Sequence, residues 1–166
     1  MRPRDLATCG LFGAAALLLP VLFHLFQLGR VFMPMYLPLV ALAFFTRPAP
    51  AALTALIVPP LSGFVTGMPP IMPPIAFVMA VELALMVALI GTLGIAFPRL
   101  PAWVKLAVAL AVGRVVNAAL LYAAAHVFDL PATFVAGISL ISGWPGLILM
   151  MLTIPALVRI AGRRTT

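Results

Sequence analysis

The sequence predicts an all-α integral membrane protein, a compact bundle of about six transmembrane helices in a single domain over residues 1–166. Three observations predict it. Apolar residues make up 65% of the chain and charged residues 8%, against about 45–50% and about 25% in soluble domains. The apolar stretches approach or exceed the roughly 20 residues that a bilayer-spanning helix needs. All the basic residues except Arg114 stand at the ends of those stretches, where lysine and arginine anchor spans. A net charge of +7 would suggest nucleic acid in a soluble chain. Placed as it is here, it belongs to membrane surfaces, and no nucleic-acid partner is expected.

Each span follows from its punctuation. Span one covers 7–28 and ends at Gly29-Arg30. Arg2 and Arg4 before a long apolar run imitate a signal peptide, but the run is long enough to span and lacks a small-x-small cleavage site, so a retained helix is expected. Cys9 is the only cysteine, which excludes an internal disulfide. Span two covers 34–46, opened by Pro34, since proline suits a first helical turn. Arg47-Pro48-Ala49-Pro50 ends it. Span three covers 51–66 and is expected to break at Pro59-Pro60. Spans two and three are short for a crossing; tilting, partial unwinding and a re-entrant pair are all open.

Span four covers 75–97, between the proline-rich "GMPPIMPP" and Pro98-Arg99-Leu100-Pro101. Span five covers 102–128 and ends at Asp129-Leu130-Pro131. Span six covers 132–161, followed by Arg163 and Arg164. Six crossings put both termini on one side, together with Arg2, Arg4, Arg47, Arg99, Lys105, Arg159, Arg163 and Arg164; the other side holds Arg30 and Asp129. By the positive-inside rule both termini are cytoplasmic, in a bacterial inner membrane, with lipid as surroundings.

Polar groups inside spans are costly and are functional candidates by default. Here they are His24, Gln27, Glu82, Arg114, Asn117, His126 and the hydroxyls of Ser62, Thr66, Ser139 and Ser142. At about 1.5 Å per residue, Glu82 lies about 10 Å below the outer surface, Asn117 about 15 Å, Arg114 about 20 Å, and Ser139 and Ser142 about 10 and 15 Å. The inner halves of spans four and six, 86–97 and 147–158, hold no ionisable group. A channel needs polar groups across the whole thickness; a cup that opens outward and closes below needs this distribution. Arg114 and Asn117, three apart, share a helix face. Arg114 is expected to meet Glu82 or an anionic group of a ligand, so the pair either locks helices together or holds the ligand. Trp144 is expected as an aromatic wall. His24, Gln27 and His126 read as interfacial. The Gly10-x-x-x-Ala14 spacing permits close helix approach, toward another span or another protein.

Enzymatic readings find little. Gly137-Ile138-Ser139-Leu140 lacks the final glycine of a rhomboid-like serine motif, there is no histidine pair at metal spacing, and no phosphate-binding GxxxxGK[ST] surrounds the single lysine. No catalysis, cofactor or metal is expected.

The segments "GRVFMPMYLPLVALAFF" (29–45), "PPLSGFVTGMPP" (59–70), "MAVELA" (79–84) and "VGRVVNA" (112–118), in this order and spacing, resemble the substrate-binding S component of energy-coupling factor (ECF) vitamin transporters, nearest the pantothenate-type branch. The resemblance runs from about residue 20 to 125. It implies six helices, cytoplasmic termini and an outward-facing pocket for a vitamin-sized molecule, bordered by Met35 and Tyr36, where many relatives have histidine in place of Tyr36. It also implies a membrane T component and two ATPase subunits as partners, with Gly10 and Ala14 on the partner-facing helix. Glu82 and Arg114 match the family pattern in place, whereas Asn117, Ser139, Ser142 and Trp144 come from depth and chemistry alone. The loops 29–35 and 67–74 are expected to cover the ligand. The rival reading is a non-transporting scaffold, similar in size and span number to the rod-shape protein MreD.

Overall fold

The computed structural model describes residues 2–25, 34–129 and 143–163. Among them the chain forms six helices: α1 Pro3–Leu25, α2 Tyr36–Leu42, α3 Pro48–Thr66, α4 Ile75–Ala96, α5 Ala102–Val127 and α6 Trp144–Arg163. Five of these are long and apolar enough to cross a membrane: α3, α4 and α5 over their whole lengths, α1 over Pro3–Phe23 and α6 over Trp144–Ala161. This is a helical, multi-pass membrane architecture. The exception is α2, whose 7 residues reach only about 10 Å of a hydrocarbon core about 30 Å thick.

Even so, the stretch containing α2 returns across the bundle. The Arg47 guanidinium donates from Nε (3.0 Å) and Nη2 (2.7 Å) to Asp5 Oδ2, and the Thr46 hydroxyl donates to Oδ1 at 3.0 Å. Asp5 lies in the first turn of α1. The chain therefore leaves the far end of α1 at Leu25 and is back beside its start at Arg47. Phe12 of α1 stacks on Phe45 along the same seam, ring centroids 5.5 Å apart.

After Leu42 the winding tightens: the amides of Ala43, Phe44 and Phe45 each bond three residues back, as in a 3₁₀ turn. Arg47 precedes a proline and is extended (φ −66°, ψ 153°), because the proline ring excludes the helical region from the residue before it. Pro48 then opens α3 where its missing N–H costs nothing.

The expected break at Pro59-Pro60 does not occur: α3 runs unbroken from Pro48 to Thr66. Surrounding helices hold such a segment helical even where proline removes ladder bonds. α3 stops instead at Gly67, which takes the left-handed conformation (φ 74°) and bonds its amide to Gly63 O at 3.0 Å, a glycine C-terminal cap.

Side chains packed onto glycines fix the order of helices. A Cβ on Gly91 of α4 would come within 2.7 Å of Pro48 at the start of α3, so the end of α4 lies beside Arg47. A Cβ on Gly113 of α5 would overlap the Met86 sulfur of α4. α3, α4 and α5 thus pack as consecutive antiparallel neighbours. α1 lies against α2 and α3, and α6 against α5 and α2. Trp103 at the start of α5 shares a cleft with Pro155 and Arg159 near the end of α6. One end of the bundle therefore collects Arg47, Arg99, Lys105 and Arg159, the clustering that the charge distribution predicted.

The core is built on α2. All of its residues but Leu37 are buried, and it touches α1, α3, α4 and α6. α4 turns Glu82, Leu83, Met86, Val87 and Ile90 to it, while Phe77, Val81, Leu85 and Ile95 face outward, the stripe that a 3.6-residue period produces. On α1 the inward residues are Cys9 and Ala16, with Gly13 against Thr54 and Val58. Gly10 and Ala14 are exposed, and nothing lies within 4 Å of the position a Gly10 Cβ would occupy. Among the described residues, that pair therefore does not face another span.

Candidate functional site

Two of the chain's three acidic residues have now been placed, one at the basic end and one in the core. Glu82 is fully buried, with 0% of its surface exposed. It sits two turns into α4, about 10 Å from the helix start, on the half of the bundle away from the basic end. Two donors from other helices converge on one of its oxygens. The Tyr36 hydroxyl, at the start of α2, donates to Oε2 at 2.5 Å. The Asn117 side-chain amide, on α5, donates to the same oxygen at 2.7 Å.

Local sequence explains each position. Gly113 allows α5 to lie against α4 at Met86, and Asn117, one turn further along the same face, reaches Glu82. Met35 and Tyr36 enter the core as the chain turns into α2, both buried. The Arg114 guanidinium carbon stands 5.9 Å from the centroid of the Tyr36 ring, within cation–π range. So Arg114, expected beside Glu82 or an anionic group of a ligand, reaches the cluster through the face of the ring whose hydroxyl binds Glu82.

The cluster is incomplete in one respect. Glu82 Oε1 is buried and has no hydrogen-bond partner among the described residues. Leaving a buried acceptor unmatched costs about 1–3 kcal/mol, and more when the group is charged. Among the described residues, one oxygen of this carboxylate thus has two donors and the other has none.

The remaining predicted residues divide. Ser139 and Ser142 lie outside the described residues, as do Gln27, Arg30, most of the loop 29–35 and the first part of the predicted span six; the side chain of His24 is outside them too. Trp144 opens α6 with 64% of its surface exposed. His126 lies exposed near the end of α5, its ring edge-on to Tyr122 at 5.2 Å, in keeping with an interfacial residue.

Ser62 and Thr66 are engaged elsewhere. Their hydroxyls donate to Met68 O at 2.7 and 3.1 Å and hold the proline-rich loop to the end of α3. That loop folds back so closely that a Cβ on Gly63 would meet Pro69 O at 2.7 Å. The bonds Met68–Pro69 and Met72–Pro73 in it are cis.

No family model matches this chain, nor does any curated protein or solved structure.

The chemistry must therefore be read from the site itself. Among the described residues no three histidine, cysteine, aspartate or glutamate side chains gather as a metal would require. The cluster offers a carboxylate acceptor, a phenol, an amide and a nearby cation, a set suited to holding a polar small molecule. Sequence reasoning had Glu82 and Asn117 as interior polar groups and had Tyr36 through the family resemblance, but it missed Tyr36 as a partner of Glu82. It also passed over Asp5, the anchor of the return from α1; with so few carboxylates in the chain, its place beside a basic terminus was a signal that could have been weighed.

Proposed function

We propose that this chain is the substrate-binding S component of an ECF-type ABC importer. It captures a vitamin-like small molecule, a pantothenate-like carboxylate being favoured, from the outer face of a bacterial cytoplasmic membrane in which both termini are cytoplasmic. A membrane T component and two ATPase subunits supply the energy for uptake. The observation that carries this reading is the buried Glu82, held among the described residues by Tyr36 and Asn117 through one oxygen, in the half of a membrane bundle opposite its basic end. Intramembrane ionisable groups mark substrate sites, and a site at this depth with an apolar base suits capture rather than conduction. The order and spacing of the segments that resemble S components support the same reading.

The test is to purify the protein in detergent and analyse it by mass spectrometry for a retained small molecule, then to measure thermal shifts across a vitamin panel. A stoichiometric retained molecule, or stabilisation by one vitamin, is expected. Empty protein with no shift would overturn the proposal and favour the scaffold reading.

A further inference from the structure

Resting on that reading, we infer that the captured molecule places a hydrogen-bond donor, an N–H or O–H, on Glu82 Oε1. The two protein donors already occupy Oε2: the Tyr36 hydroxyl at 2.5 Å and the Asn117 amide at 2.7 Å. Oε1 is buried without a partner among the described residues, on a side chain with 0% exposure. Its lone pairs are the unmatched feature of the cluster, and a lone pair recognises a donor. A site built to bond a ligand N–H or O–H discriminates strongly against a compound that lacks one, because the buried acceptor is then left unpaired.

This fixes an orientation as well as a class. A ligand carboxylate brought against a carboxylate in a medium of low dielectric is repelled. A ligand carrying both a carboxylate and donor groups therefore enters with its hydroxyl, amide or ammonium end on Glu82 and its carboxylate turned away.

Three vitamin-class probes separate the possibilities: pantothenate, with hydroxyl and amide donors; pyridoxamine, with an ammonium; and nicotinate, which at neutral pH carries acceptors only. Binding is measured on the detergent-purified full chain. At least one of the first two is expected to bind, and nicotinate not. In Glu82→Gln the carbonyl oxygen remains where Tyr36 and Asn117 donate, so an NH₂ replaces Oε1 and faces the ligand's donor. Affinity for the bound probe is then expected to fall at least tenfold. Should Glu82→Gln fail to fold, the discrimination by the wild-type protein still decides. Nicotinate binding as tightly as the donor-bearing probes, or undiminished affinity in folded Glu82→Gln, overturns the inference and leaves capture standing. No binding of any probe, with nothing retained on purification, removes the capture reading and this inference with it.

Discussion

The hydroxyl of Tyr36 and Oε2 of Glu82 lie 2.5 Å apart, joining α2 to α4 across 46 positions of sequence. This bond ties the short central helix to the inward face of α4. Asn117 closes the same oxygen from α5 at 2.7 Å, so one carboxylate oxygen fastens three helices.

Tyr36→Phe removes one of those two donors with almost no change in volume. A buried hydrogen bond to a charged group contributes about 1.5–3 kcal/mol, and stability is expected to fall by about that much. Thermal unfolding of the two proteins in the same detergent measures it. An unchanged midpoint would mean that Asn117 alone suffices.

The only cysteine supplies the reporter. Cys9 is 7% exposed, packed on the inward side of α1. A thiol-reactive dye is expected to leave the folded protein unlabelled and to react as α1 separates, so labelling and loss of helicity should coincide on heating. Rapid labelling of folded protein would show that α1 is not seated on the bundle.

Gly113→Ala drives a methyl into Met86. Overpacking of this kind costs about 1–3 kcal/mol. Adding Met86→Ala vacates the space, so the double variant should be less destabilised than the sum of the two single variants, a coupling that a mutant cycle reads directly. Additivity would show that the α4–α5 contact is not where it is placed here.

Gly10 has open space where Gly113 has none. Gly10→Leu is therefore expected to leave the melting temperature and ligand affinity unchanged. If α1 presents this face to a T component, the same variant abolishes ATP-driven uptake in the assembled transporter. Loss of stability instead would place Gly10 inside the bundle.

The Asp5–Arg47 ion pair, at 2.7 Å, makes a topological prediction. In a Cys9→Ser background, single cysteines at Arg4 and Arg47 should label from one side of the membrane and one at Met72 from the other. Labelling of the first two from opposite sides would contradict the return through α2.

The membrane class, the ends of most spans and the basic end were legible in the sequence because they depend on composition and on local punctuation. Prolines and arginines mark where apolar runs stop, whatever those runs later touch. One local reading failed for the same reason that others succeeded. Pro59-Pro60 was read as a break, yet α3 stays helical through it between its neighbours. For residues 34–46, where tilting, partial unwinding and a re-entrant pair were all open, the structure shows a return across the bundle with seven residues helical.

Facing was not legible. α4 is apolar nearly all round, so no pattern of polar against apolar residues marks its inner side, and Glu82 alone hints at it. In lipid an outward leucine is as comfortable as an inward one, and the usual amphipathic signal is absent. The sequence by itself determined that this chain lives in a membrane, which end carries the positive charge, and that Glu82, Arg114 and Asn117 are too polar for lipid. Only the tertiary structure decided that Tyr36 and Asn117 share one oxygen of Glu82 and, among the described residues, leave the other unmatched. That depends on how closely α2, α4 and α5 approach, which is set by side-chain volumes at contacts such as Gly113 against Met86, far apart in the chain.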